Sequence, residues 1–546
     1  MLQTHEEQIK KSAVADNQSQ GTSRSLGTSR SLGTKIIRNV MFGALRYLLL
    51  VPIPFVLTPL ILHKIGPAGY GTWAIFLAIN SMTSLADFGL VGTLSKFVAE
   101  YHAQADFAAL NRLLNSGLAM FVVLAATVAT VVGGAAPLLI RYLARGSTTP
   151  ALELAHLLRC FVILIAANIL ILLFSSITTG LQRLDLTYVM SAVNILLSAV
   201  LSVVFLLRGW GLTGLIYAYI TGAVVTTVVY MFLVRKLLPG MSWNPFGFHL
   251  QEAQKMVGFS LRLYTIQAAV AIHNQIDKIF LAVMIGVAPA GWFDIASDTA
   301  LKVRSVVGLV LGPVLPAASE LNALRDERRI EELYFRTHKY LAVFGIPIVF
   351  AVALFASRFV DLWLGPAMSV IAFPMALLVG VNFVNLASGP AFLLFAGSGY
   401  LRPAIRSSLL GIGLDIVLSL ALIHWFGFAG AAVGTSLSLL VAAVYLTWTF
   451  HRQHSYSFRR LLQESYFKPV ACSVLSLAAT FAAHSVHTLS WYGLIAMGLM
   501  FAGIYALLIL LSGFFDSYDW NKIEIFLPAA RHARRNWQNI SESRSV

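Results

Sequence analysis

The chain has 546 residues, 58% of them hydrophobic and 12% charged, with a formal net charge of +15. Soluble domains carry roughly 25% charged residues, so a string of soluble domains is excluded and an all-α integral membrane protein is predicted. The charge alone would suit nucleic acid, but basic residues of membrane proteins gather on the cytoplasmic side, and their placement here argues against nucleic acid as a partner.

Residues 1–34 are polar, with GTSRSL at 21–26 and again at 27–32. Such a segment has too little apolar surface to fold and is expected to be a disordered cytoplasmic tail. No apolar core precedes a small-residue cleavage site, so no signal peptide is expected. About fourteen apolar stretches follow, near 43–63, 70–93, 116–140, 155–179, 187–207, 211–234, 257–284, 289–313, 340–357, 370–396, 404–424, 429–450, 469–487 and 491–513. Each is long enough to cross a hydrocarbon core of about 30 Å as a helix. The polar segments 94–114 and 315–339 are expected to be amphipathic helices at the interface. Cys160 and Cys472 stand alone, with no metal-ligand spacing, so neither a disulfide framework nor a metal site is indicated.

Orientation follows from Lys and Arg. Loops on one side hold Lys96, Arg112, Arg183, Arg235 and Lys236 and continue through Arg459, Arg460 and Lys468, whereas the other side holds only Lys64, Arg141, Arg145, Arg159, Arg208 and Arg358. Both termini are therefore placed in the cytoplasm. The outer loops are all short, which disfavours a membrane glycan polymerase or ligase with an external catalytic loop.

The chain also resembles itself. At an offset of 220, Gly66 meets Gly286, Gly71 meets Gly291, Gly92 meets Gly312, Glu100 meets Glu320 and Asp106 meets Asp326. At an offset of 216, Gly211 meets Gly427 and Gly214 meets Gly430. Six spans per copy is an even number, so the copies are parallel repeats, related by an axis along the membrane normal. The expected organisation is a tail (1–34), two parallel six-helix lobes (35–240 and 241–456), an extra two-helix hairpin (457–515) and a cytoplasmic C-terminal tail (516–546).

Ionisable side chains in hydrocarbon are costly and mark functional interiors or neutralising pairs. The eighth span carries Asp294, Asp298 and Lys302 at i, i+4 and i+8, on one helical face, and Arg304 follows. The seventh carries His273, Asp277 and Lys278, with Arg262 near its inner end, and Arg46 lies in the first. The positions offset from Asp294, Asp298 and Lys302 are Ala74, Ala78 and Met82, so the charges are not duplicated. Two readings stand side by side: Asp298 and Lys302 neutralise each other as a helix pair, or Arg46, Arg262, Lys278, Lys302 and Arg304 bind an anionic headgroup. Guanidinium groups suit phosphate because their planar donors engage two oxygens. Asp277, Asp294 and Asp298 are candidate ion-coupling sites, and Asp415 is either a cavity residue or a helix contact. No catalytic residue and no cofactor is indicated.

Val51-Pro-Ile-Pro-Phe55, Ile65-Gly66, Tyr70-Gly71-Thr72-Trp73, Leu85-Ala-Asp87-Phe-Gly89-Leu90 and Lys96-Phe-Val-Ala-Glu100 resemble the amino-terminal region of Wzx-like polysaccharide biosynthesis membrane proteins. Gln275-Ile-Asp277-Lys278, Gly286 and Ala396-Gly397-Ser-Gly399 support the match in the second half. The resemblance covers roughly residues 36–455. It implies a flippase of the bacterial inner membrane that carries a polyprenyl-pyrophosphate-linked oligosaccharide, a repeat unit of exopolysaccharide, lipopolysaccharide O-antigen or capsule, to the periplasmic leaflet. It also implies H+ or Na+ coupling and work alongside glycan polymerases and glycosyltransferases. The alternative on the same scaffold is a cation-coupled exporter of drugs or small amphiphiles.

Overall fold

The computed structural model describes residues 52–81, 87–143, 149–483 and 490–520, without the side chains of 139, 142–143, 258–271, 274 and 483. The tail 1–34, Arg46 and most of 516–546 lie outside the described residues. No strand occurs among those described. In lipid a backbone must satisfy its own polar groups, and a helix does this within one segment.

In chain order the main helices are α1 (Pro52–Ser81), α2 (Leu90–Ala103), α3 (Phe107–Leu143), α4 (Ala151–Gly180), α5 (Leu184–Leu207) and α6 (Gly211–Leu237). The second series is α7 (Leu250–Met284), α8 (Val287–Gly308), α9 (Val314–Leu324), α10 (Glu327–Leu364), α11 (Ala372–Ala387), α12 (Gly389–Gly397) and α13 (Arg402–His454). A helical turn (Phe458–Leu461) and a π-helical turn (Leu462–Tyr466) then lead into α14 (Phe467–Ala483) and α15 (Trp491–Leu511). Among the described residues, nine helical segments are long and apolar enough to cross a membrane.

Two helices are broken inside. Gly66 interrupts α1 at φ 71 and Gly427 interrupts α13 at φ 58, conformations that L side chains resist. Beyond Gly427 the chain doubles back. Ser407 donates to the Ala442 carbonyl at 2.8 Å and Ser438 to Asp415 at 3.1 Å, so the halves of α13 run antiparallel. The spans predicted at 404–424 and 429–450 fall on these two halves.

The segments expected as interfacial helices are each divided in two. Ala105 (φ 54) ends α2 and Arg325 (φ 53) ends α9, both left-handed. Asp106 then accepts the Ala109 N–H at 2.8 Å, and Asp326 accepts that of Arg329 at 3.1 Å. These are N-caps, each satisfying a backbone donor that the new helix leaves unpaired. The rest of each segment is therefore the first turns of the long helices α3 and α10. At about 1.5 Å per residue, their 37 and 38 residues outrun a bilayer core.

The Gly66 break and the two caps fall at positions paired by the 220-residue offset, and the Gly427 break falls at the 216-residue offset, opposite Gly211 (φ 53). Each series also has a close crossing at a glycine: a Cβ on Gly180 would lie 2.6 Å from the Ser95 carbonyl oxygen, and one on Gly397 would lie 2.8 Å from the Ala318 Cβ. The repeated letters at these positions thus coincide with repeated turns of the backbone.

The chain separates into two compact units, one of residues 1–60, 87–134 and 157–261, the other of 61–86, 135–156 and 262–546. In the first, Asn111, Asn115 and Ser116 of α3 bind the backbone of Ser242, Asn244 and His249, which clamps the segment leading into α7. In the second, the added pair α14–α15 lies on α10. Phe355 packs with Leu494, Met497 and Phe501, and Val343 with Cys472, Tyr505, Ile509 and Phe514. Tyr505 also donates to the Val343 carbonyl at 3.0 Å.

Candidate functional site: buried charges of the second unit

The ionisable residues expected at membrane depth are held by α7, α8 and both halves of α13. Helical phase places them. In α7, His273 and Asp277 are one turn apart and share a face, and Lys278, the next residue, points some 100° away. The face with His273 and Asp277 meets α13. His273 Nδ1 lies 2.8 Å from Asp415 Oδ2, and Asp415, fully buried, accepts the Ser438 hydroxyl on its other oxygen. Asp277 is 1% exposed and accepts the Thr435 hydroxyl at 2.6 Å on Oδ2. Its Oδ1 has no hydrogen-bond partner among the described residues. Asp415 and His273 both lie close enough to act electrostatically on Asp277.

Lys278 faces α8. Its Nζ lies 2.6 Å from Asp294 Oδ1, and both residues are buried. The second oxygen of Asp294 accepts the Tyr70 hydroxyl at 3.2 Å. One turn along α8, Asp298 and Lys302 form an i,i+4 ion pair, in which the Asp298 side chain is half exposed. Arg304 reaches the Asn382 side-chain oxygen at 3.4 Å.

The candidates therefore separate. Lys278 and Asp294 come together, as do Lys302 and Asp298, so two candidate cations are each held by a candidate ion-coupling carboxylate. The neutralising arrangement is the one adopted by Asp298 and Lys302. Asp277 is not held by a cation from that set; its neighbours are His273, Asp415, Ser419 and Thr435. Arg46 lies outside the described residues, and Arg262 lies on the stretch of α7 whose side chains are not described.

Tyr70, Thr435 and Ser438 escape sequence reasoning because one hydroxyl in an apolar helix looks like any other. A signal was present in hindsight: Gly411, Asp415 and Ser419 repeat every four residues, and Thr435 and Ser438 sit three apart, so each set lies on one face. Small polar residues on facing stripes are how membrane helices approach and bond.

Two buried carboxylates, Asp277 and Asp415, share one imidazole, and the Arg304 guanidinium lies close enough to act on His273, so the charge balance of the cluster turns on which of its groups hold a proton. An uncompensated buried charge is expensive, and this arrangement is suited to take up a proton or a small monovalent cation at the open oxygen of Asp277. No group of three or more His, Cys, Asp or Glu arranged to hold a metal ion occurs among the described residues.

A separate cavity of about 710 Å³ is lined by Arg328, Glu332, Arg336, Lys339, Arg460 and Asp516, among others. Its charges pair among themselves: Arg336 with Glu332 and Asp516, and Arg460 with Glu331 and Glu464. These pairs fasten the segments flanking α14 and α15 to α10.

Against known proteins, a family model described as polysaccharide biosynthesis protein matches residues 36–322. The membrane protein EpsK of Bacillus subtilis (strain 168) is 24% identical, over 86% of this chain and 94% of that protein. The lipid II flippase MurJ of the same organism is 22% identical, over 75% and 80%. A solved structure of lipid II flippase MurJ in an inward closed conformation superposes with a TM-score of 0.70 at 13% identity, covering 86% of this chain and 98% of that one. The likeness to that structure is one of fold.

Proposed function

Because the chain belongs to the polysaccharide biosynthesis protein family, we propose that it is a flippase for a polyprenyl-pyrophosphate-linked oligosaccharide. It is a multi-pass membrane protein and a transporter, not an enzyme. The observation that carries this reading is the family match over residues 36–322, joined to a fold shared with a lipid II flippase over nearly all of that protein. We read the chain as two parallel six-span lobes and a two-span extension in the bacterial inner membrane, with both termini cytoplasmic.

The physics of the cargo supports the reading. A pyrophosphate-linked glycan cannot enter hydrocarbon unaided, since an unpaired charge there is far too costly. A hydrated cationic cleft removes most of that cost while the polyprenyl chain stays in lipid, and rocking of the lobes changes the leaflet the cleft faces. Arg304, Lys302 and Lys278, with Arg46 and Arg262, are the residues we assign to the headgroup. Lys278 and Lys302 reach it by exchanging a carboxylate partner for phosphate. Asp277, with Asp415, His273 and Thr435, is assigned to the coupling ion, H+ or Na+.

The test is leaflet transfer in proteoliposomes. The unmodified protein is expected to move a fluorescent undecaprenyl-pyrophosphate oligosaccharide, and Lys302→Gln with Arg304→Gln together to slow it at least tenfold at equal protein incorporation. Unchanged transfer by that variant removes the cationic headgroup site. No transfer by the unmodified protein, with uptake of a cationic amphiphile instead, favours the exporter alternative.

A further inference from the structure

Gly71 and Gly291 are counterparts under the 220-residue offset, and they touch. A Cβ on Gly71 would lie 1.7 Å from the Val287 carbonyl oxygen, and one on Gly291 would lie 2.8 Å from the Gly71 Cα. Duplicated residues that contact each other make an isologous junction, in which each copy offers the same patch to the other. Only hydrogen at both positions lets these backbones come so close.

Directly beside the junction is a buried polar lock. Tyr70 precedes Gly71, and Asp294 lies one turn beyond Gly291. The two oxygens of Asp294 are taken by different helices: one by Tyr70 of α1 at 3.2 Å, the other by Lys278 of α7 at 2.6 Å. A single carboxylate thereby ties α1, α7 and α8 at one level. The counterparts of Asp294 and Lys278 are Ala74 and Thr58, so the lock is not inherited from the duplication. It belongs to the place where the copies meet. Gly66, Lys64 and Gly286 border this level, at the end that the scarcity of basic residues assigns to the outside.

We propose that Gly71, Gly291 and the Tyr70–Asp294–Lys278 triad form the outer clasp of the transport cycle. The clasp is closed in this structure and must part before the outer leaflet can be reached. Parting the copies takes the Tyr70 hydroxyl from Asp294 and leaves Lys278, on the same copy as Asp294, in its ion pair. The clasp therefore resists opening, and an anionic headgroup that draws Lys278 from Asp294 loosens the carboxylate that holds Tyr70. This rests on the flippase reading only for the identity of that anion.

The experiment measures access from outside. In a background of Cys160→Ser and Cys472→Ser, the fully buried Thr72 is changed to cysteine, and a membrane-impermeant maleimide is added to the outer face of oriented proteoliposomes. Labelling is expected to be slow in this parent and at least tenfold faster with Gly291→Ala or with Asp294→Asn, whereas Asp294→Glu stays near the parent rate. Undecaprenyl pyrophosphate in the membrane is expected to speed labelling of the parent but not of Lys278→Gln. Unchanged labelling by both Gly291→Ala and Asp294→Asn, in protein that elutes as a folded species, overturns the clasp. No response of the parent to undecaprenyl pyrophosphate overturns its release by the headgroup. If the variants open the clasp and no lipid-linked glycan is moved by the parent, the flippase reading fails and the clasp stands.

Discussion

Thr435→Val is the cleanest perturbation of the proposed coupling site. Valine nearly matches threonine in volume, so it opens no cavity, but it removes the hydroxyl that donates to Asp277 at 2.6 Å. Thr435 is the close donor to the carboxylate, and Ser419 lies near enough to act on it as well. A hydrogen bond to a charged group contributes about 1.5–3 kcal/mol, which at 1.36 kcal/mol per decade is a factor of roughly 10–150. The sign depends on the ion. If Asp277 takes a proton, losing the donor leaves the ionised form less stable, and the apparent proton affinity rises by that factor. If it takes Na+ with the hydroxyl oxygen turned to the ion, the apparent Na+ affinity falls by the same factor. Thermal unfolding of the purified protein, titrated with Na+ at fixed pH and with pH at fixed Na+, reads both midpoints. A variant that unfolds cooperatively and moves neither midpoint by more than about threefold would refute the assignment of Asp277 and Thr435 to coupling.

Other consequences concern the added hairpin. Asp519 is 2% exposed and receives Lys339, the Tyr340 hydroxyl at 2.6 Å and Arg336 at 3.3 Å. Asp519→Ala is expected to cost about 3 kcal/mol, near the low end for breaking a buried pair, because Arg336 and Lys339 keep Asp516. A lower melting temperature with faster proteolysis after residue 511 is the readout, and an unchanged melting curve would contradict it. The neighbouring Asp516 sets the pH window. Burial pushes its carboxyl up, but the Asp519 N–H, donating at 2.9 Å, and the Lys339 and Arg336 charges outweigh burial and hold it below the usual carboxylate range. A depressed native value adds stability above the unfolded value of about 3.9, lost as pH falls through the native one. Docking of the segment after α15 should thus be constant from pH 5 to 8 and weaken only below about pH 4, as followed by Trp520 fluorescence.

The membrane class was legible in composition, and helix positions in runs of apolar residues, because hydrocarbon admits almost no other backbone solution. Glycine spacing told where the chain turns: Gly66, Gly286 and Gly427 all break helices at positive φ. Asp106 and Asp326 were legible as repeated letters but not as caps. Both charge signs in their neighbourhood suggested surface helices, whereas one left-handed residue before each aspartate starts a new helix. In the candidate site, Asp294 and Lys302 shared a face by spacing. Their partners could not be read, since a helix of period 3.6 says which residues face the same way and not what lies opposite.

From its letters alone, then, the chain reads as helical and membrane-spanning, with repeated glycine and acidic positions and with unusual charges that share helical faces. All three follow from local rules of hydropathy, backbone freedom and helical phase. Tertiary packing alone sets that Lys278 is neutralised by Asp294, that Asp277 keeps an open oxygen beside Asp415 and Thr435, and that Gly71 meets Gly291. Those facts join residues 16 to 220 positions apart. Such pairings are set by how helices pack, where the cost of an unpartnered buried charge selects the neighbour.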